Sequence, residues 1–191
     1  MELQKLNVKL FVEPPHAIPL AAFVDIFHSW IQDTDGVYHD VADYSHMRAG
    51  PGVVLVANHA NVSIDESADR RGLLYSQKRL LSGSHQDKLR AVMRAALENF
   101  RKLEREPKLR GKFQLLGSEA VIAVNDRLAW PNTEASYNAL APEIEQLAEI
   151  LFHDAKVALE REGESRRRFS VRITASRSFG VDELLGRLHS H

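Results

Sequence analysis

The stretch GVVLVANHANVSIDE, residues 52–66, opens as a run of aliphatic, mostly β-branched residues and turns polar at Asn58. Val53, Val54, Leu55 and Val56 predict a strand. A run apolar at consecutive positions predicts one covered on both faces, at a central place in a sheet. The polar half reads as the end of that strand and a turn, which sets Asn58, His59, Asn61 and Asp65 close together in sequence. Working outward, Leu6, Val8, Leu10 and Val12 alternate with Asn7, Lys9 and Phe11, which predicts a strand stopped by Pro14 and Pro15. VYHDVAD (37–43) and LLYSQKRLL (73–81) are further candidate strands. KFQLLGSEAVIAVNDR (112–127) reads as a hairpin turning at Gly117 and Ser118, and AKVALEREGESRRRFSVRITA (155–175) as one turning near Gly163.

Between these runs the period changes from two to that of a helix. In IPLAAFVDIFHSWIQ (18–32), Leu20, Val24, Phe27 and Ile31 form one apolar stripe and Phe23, Ile26 and Trp30 a second. A helix this apolar is either enclosed within the fold or used for self-association. Ser84, with Asp87 three residues on, starts a long helix whose stripe is Leu89, Val92, Met93, Ala96, Phe100 and Leu103; Pro107 ends it. Residues 132–154 are helical, with a kink or a fresh start at Pro142, and VDELLGRL (181–188) is a short terminal helix. Helices separated by hairpins predict a single α+β domain over 1–191. Its sheet is largely antiparallel and mixed, with ferredoxin-like split β-α-β character.

Composition narrows the chemistry. The 191 residues contain no cysteine, which excludes disulfides, thiolate nucleophiles and thiolate metal sites. A formal net charge of −1 gives no global attraction to nucleic acid or an anionic membrane. No apolar run reaches the roughly 20 residues of a membrane span, and no signal pattern opens the chain, so the expectation is a cytoplasmic protein without a membrane partner.

Four polar clusters are the places to look for a site. Asn58-His59, with Asp65 downstream, would let an imidazole act as general acid or base with a carboxylate to orient it, so His59 and Asp65 are the catalytic candidates. The HDVADYSH segment supplies His39, Asp43 and His46, which with His59 are candidate ligands for a divalent metal. In DESADRRG, Arg71 at a pocket mouth would bind a carboxylate or phosphate through both guanidinium arms, with Tyr75 on the following strand. The candidate ligand-binding set is therefore Asp43, His46, His59, Arg71 and Tyr75. Arg90, Arg94, Arg101, Lys102 and Arg105, with Arg166, Arg167 and Arg168, form basic runs broken by Glu98, Glu104 and Glu164. Such interleaving reads as a solvated face, and nucleic acid is not the expected partner.

Asn58-His59 behind an apolar strand resembles the Asn-His and Asp signature of glycerolipid acyltransferases, in which the His is the general base and the Asp orients it. Here five residues rather than four separate His59 from Asp65, and no Gly-rich phosphate motif follows. The likeness covers only Val53 to Asp65 and assigns no family. The function expected from the residues is a small-molecule or metal-ion binding protein with a polar His, Asp and Arg site between residues 39 and 75. Beside it stand a structural or assembly subunit of a homo-oligomer, and an enzyme that uses His59.

Overall fold

The protein is described by a computed structural model that covers residues 2–47, 50–163 and 167–189. Eight strands form one antiparallel sheet: β1 (Leu6–Val12), β2 (Tyr38–Asp43), β3 (Val53–Ala57), β4 (Ala60–Asp65), β5 (Gly72–Gln77), β6 (Leu115–Val124), β7 (Val157–Arg161) and β8 (Phe169–Ala175). Their order is β2-β3-β4-β5-β1-β6-β8-β7. Helices α1 (Ala21–Asp33), α2 (His85–Glu104), α3 (Glu134–Phe152) and α4 (Val181–His189) cover one face of it. The class is α+β. Strands β5 and β6 flank β1, both antiparallel to it, and α2 joins them, which makes a split β-α-β crossing; β6, α3 and β7 repeat it around β8. The eight-strand order as a whole goes beyond a four-stranded ferredoxin-like sheet.

Strand β1 lies inside the sheet because its alternation serves two faces. Leu6, Val8, Leu10 and Val12 enter the core under the helices, and Asn7, Lys9 and Phe11 point the other way. Both apolar stripes of α1 are spent within the chain: Phe23, Ile26, Phe27 and Trp30 are buried, and Leu20, Val24 and Ile31 pack against the same core. The capping box of α2 forms with Asp87 in place of the usual Glu, and its predicted stripe is the buried one. Pro142 is accommodated inside a continuous α3. No helix among the described residues is long and apolar enough to cross a membrane.

Three expectations differ from the structure. First, β3 is not central: only β2 lies outside it, and the middle belongs to β5, β1 and β6. Second, residues 60–65 are a strand rather than a turn. Asn58 and His59 are the two-residue connection of a β3–β4 hairpin. The signal was the alternation of ANVSID: Ala60, Val62 and Ile64 enter the core, and Asn61, Ser63 and Asp65 face away. Third, Gly117 is not a turn but lies inside the continuous strand β6. Phe179 N donates to its carbonyl at 3.3 Å, and a Cβ at Gly117 would lie 1.8 Å from the Phe179 carbonyl oxygen. Glycine is used there for close approach of another backbone segment.

Two glycines test this packing. Gly117→Ala should lose about 1–3 kcal/mol, because backbone rather than a flexible side chain must give way. Gly186→Ala on α4, where a Cβ meets nothing within 4 Å, should gain about 0.5–1 kcal/mol of helix propensity. Urea midpoints at constant slope would measure both, and equal midpoints for the two variants would refute the close-approach reading.

Candidate functional site

The face of the sheet opposite the helices is a trough of about 650 Å³. Its floor is built from side chains that alternate away from the core on β1, β3, β4, β5, β6 and β8. Its rim is Gly50 and Pro51, the connection from Ser67 to Arg70, and Glu162, Gly163, Arg167 and Arg168 between β7 and β8. Arg166 of the predicted basic turn and His191 at the chain end lie outside the described residues.

The floor is polar and nevertheless buried. Asn7, Lys9, Ser63 and Asp65 are 4, 9, 4 and 5 % exposed. Buried polar groups are destabilising unless they find partners, and most of these do. Lys9 Nζ pairs with Asp65 Oδ2 at 2.5 Å and donates to the Ser67 hydroxyl and carbonyl, each at 3.2 Å. The Ser67 hydroxyl donates to the same Asp65 oxygen. Burial pushes the Lys9 ammonium below its ordinary range, and the adjacent Asp65 carboxylate opposes that shift. The pair spans β5, the strand between β1 and β4. Asp65 stands opposite Gly72, and a Cβ there would lie 3.0 Å from Lys9 Cε and 2.4 Å from the Leu10 carbonyl oxygen. The absence of a side chain at Gly72 opens the way for the lysine.

A second group of charges lies beside this pair. Arg70 grips Glu119 through two hydrogen bonds of 2.6 and 2.8 Å, and Arg172 pairs with both Glu119 and Glu162. The Arg70 guanidinium sits 4.0 Å from the centre of the Phe11 ring, with Lys9 at 5.3 Å and Arg172 at 5.4 Å. Arg70 reaches this position because Ala68 and Asp69 both adopt left-handed backbone (φ 59° and 54°), which turns the chain sharply back over the sheet. Lys9, Arg70 and Arg172 face three carboxylates, and Arg167 and Arg168 add two exposed cations at the rim. With its amide oriented to satisfy both neighbours, Asn7 accepts from Arg168 Nη1 at 3.1 Å and donates to the Leu6 carbonyl at 3.1 Å. Asn61 Oδ1 is buried without a hydrogen-bond partner. Chemically, the trough offers positive charge and a set of neutral donors and acceptors.

Of the candidate catalytic, ligand-binding and metal-ligating residues, the structure brings Asp65 into this trough; Asn61 of the same stretch and Arg167 and Arg168 of the basic turn join it there. His59 is exposed at the β3–β4 turn, while Asp65 ends β4 about 20 Å away at 3.4 Å per residue. The same strand length separates His59 from Asp43 and His46, which lie exposed at the other end of the β2–β3 pair. Hydrogen bonds from Ser45 hold the Asp43 carboxyl below the ordinary range. His39 is exposed on β2. Among the described residues no three His, Asp or Glu side chains are gathered as a metal would need. Arg71 and Tyr75 point into the helix layer. Arg71 bonds Glu66 and the Ile18 carbonyl beside the Phe23 ring, and burial raises the Tyr75 hydroxyl above its usual range. Arg71 spends Nε and Nη2 on one oxygen of Glu66, and the neighbouring Arg70 holds both oxygens of Glu119.

The helix arginines of the basic run are structural: Arg101 and Arg105 pair with Asp182, and Arg94 donates to the Leu188 carbonyl, tying α2 to α4. The residues not foreseen are Asn7, Lys9, Phe11, Ser63, Ser76, Glu119, Ser170 and Arg172. The sequence signal for all but Phe11 is a polar residue at a position that alternates with buried apolar ones along its strand. No protein-family model, no curated protein and no solved structure matches the chain.

The Lys9–Asp65 pair can be tested by a double-mutant cycle. Lys9→Met alone should cost about 3–5 kcal/mol, because it leaves a buried carboxylate unpaired. Lys9→Met with Asp65→Leu should recover most of that loss. Denaturant unfolding of the four proteins gives the coupling, and additive losses would show that the two charges do not depend on one another.

Proposed function

We propose that the protein binds a small anionic molecule in the trough on the bare face of its sheet. The observation that carries this is the pairing of a buried polar floor with an excess of cationic side chains around an open space. A volume of about 650 Å³ falls within the range of small-molecule sites. A fold with no use for that face would be more stable with apolar or solvated residues there. Lys9 and Asp65 serve as fixed scaffold in this reading. Arg172 and Arg168, with Arg167 beside them, supply the charge that meets the ligand. Glu119 and Glu162 hold the arginines in place and compete with the ligand for them.

Self-association is a second reading, supported by a separate surface. Val37, Tyr44 and Met47 are 50, 40 and 50 % exposed along β2 and its turn, and β2 is an unpaired edge of the sheet. Light scattering after size exclusion should give a dimer or larger at micromolar concentration, and Met47→Lys should shift it to one chain. A wild-type chain of single mass removes this reading.

The anion reading predicts that sulfate, titrated by calorimetry, binds at one site and raises the melting temperature as its concentration rises. Arg172→Gln should weaken it about tenfold or more, since Glu119 and Glu162 then repel the ligand. The pH dependence has a definite sign. Burial, and then Glu160 beside it, hold the Glu162 carboxyl above the ordinary carboxylate range. As pH falls, Glu162 therefore loses its charge earlier than an ordinary carboxylate would and releases Arg172. Sulfate affinity should therefore rise as pH is lowered from neutral, beginning above the ordinary carboxylate range and where sulfate itself does not titrate, and Glu162→Gln should abolish the change. No saturable sulfate binding, or binding indifferent to Arg172→Gln, would defeat the proposal.

A further inference from the structure

We infer that the ligand of the trough is a polyhydroxylated anion, a sugar or similar polyol bearing a phosphate or carboxylate at one end. This rests on the reading of the trough as an anion site and adds the chemistry of the ligand's body. The carrying observation is a row of neutral hydrogen-bonding side chains set by the strand register. Asn61 stands opposite Ser76, Ser76 opposite Asn7, Asn7 opposite Ala123, and Ala123 opposite Ser170, so the row crosses five adjacent strands. Adjacent strands are about 4.8 Å apart, so donors and acceptors recur at that interval over Asn61, Ser76 and Asn7, and Ala123 separates these from Ser170.

Each amide in the row both donates and accepts, as does each hydroxyl, which is the pattern that alcohol groups satisfy. Asn61 Oδ1 is a buried acceptor still lacking a donor. At the middle of the row Asn7 accepts from Arg168, which joins the neutral row directly to the cationic rim. A ligand lying along this line presents hydroxyls to Asn61, Ser76 and Asn7 and its anionic group to Arg168 and Arg172. In the adjacent row Leu74 and Val121 flank Lys9 and offer apolar surface to the carbon face of such a molecule. A nucleobase fits less well. Phe11, the aromatic ring on this face among the described residues, is 3 % exposed and roofed by Arg70, so a base cannot stack on it.

The test compares four probes on the full chain by calorimetry: glucose 6-phosphate, glucuronate, glucose and inorganic phosphate. At least one of the two sugar anions should bind about tenfold or more tighter than both glucose and inorganic phosphate. The better of the two tells phosphate from carboxylate. Asn61→Leu and Ser76→Ala should each cut the advantage of the sugar anion over inorganic phosphate severalfold. Glu149→Gln, on the outer surface of α3, should leave that ratio unchanged, and matching circular dichroism and melting curves establish that the variants fold. If inorganic phosphate binds as tightly as the sugar anions, the inference fails and the anion site stands. If glucose binds as tightly as the sugar anions, or if nothing binds, the anion site fails as well. If Asn61→Leu and Ser76→Ala leave the ratio unchanged, the hydroxyl row is not where the sugar lies.

Discussion

The salt bridge between Lys9 and Asp65 joins two strands that are not neighbours, and the architecture of the bare face follows from it. Two charges buried at 9 and 5 % exposure require each other, since either alone would carry an uncompensated desolvation penalty. To meet, the lysine must pass over β5, and the position beneath it is Gly72. The connection after β4 is drawn over the same spot, because the hydroxyl and backbone N–H of Ser67 both donate to the Asp65 carboxylate. Two left-handed residues then bring Arg70 above Phe11, where it meets Glu119, which in turn holds Arg172. One buried pair thus fixes a glycine, a loop and the nearby array of charges.

The helices were legible in the sequence because each carries its own complete signal. The cap at Ser84, the stripe from Leu89 to Leu103 and the stop at Pro107 are local facts about α2, and tertiary structure had only to agree with them. The strands were less so. VVLVA was correctly an element, but its composition suggested the centre of the sheet, whereas the order of strands depends on pairing partners distant in sequence. ANVSID alternates cleanly, but the polar pair Asn58 and His59 before it and the Asp65 that closes it give the segment the composition of a turn. Gly117 has the local signature of a turn, and the reason it is a strand glycine, the passage of Phe179 across it, lies about sixty residues away in sequence.

The site was harder to read than the fold, and for a physical reason. Clusters close in sequence, such as HDVADYSH and DESADRRG, attract a search for function, but a sheet assembles its surface from residues that arrive singly on different strands. Lys9 and Asn7 look like the solvated half of an ordinary alternating strand; only the rim of loops around the trough makes them buried. Asp65 was legible because it is both in a cluster and on the strand. Arg70 and Arg71 show how fine the distinction is. Both are arginines in one loop, one residue apart, and parity alone sends the first to the trough and the second beneath α1.

The same parity governs how β4 can change over evolutionary time. Its six residues divide evenly between the core and the trough, with no position indifferent to its side. Inserting or deleting one residue between Ala60 and Asp65 would exchange the two sets, placing an aspartate under the helices and an isoleucine on the polar floor. Variation in chain length should therefore be filtered out of β4 and admitted at the Asn58–His59 turn, whose side chains are exposed. The hairpin divides into a stem of frozen length and a tip where sequence and length can drift together.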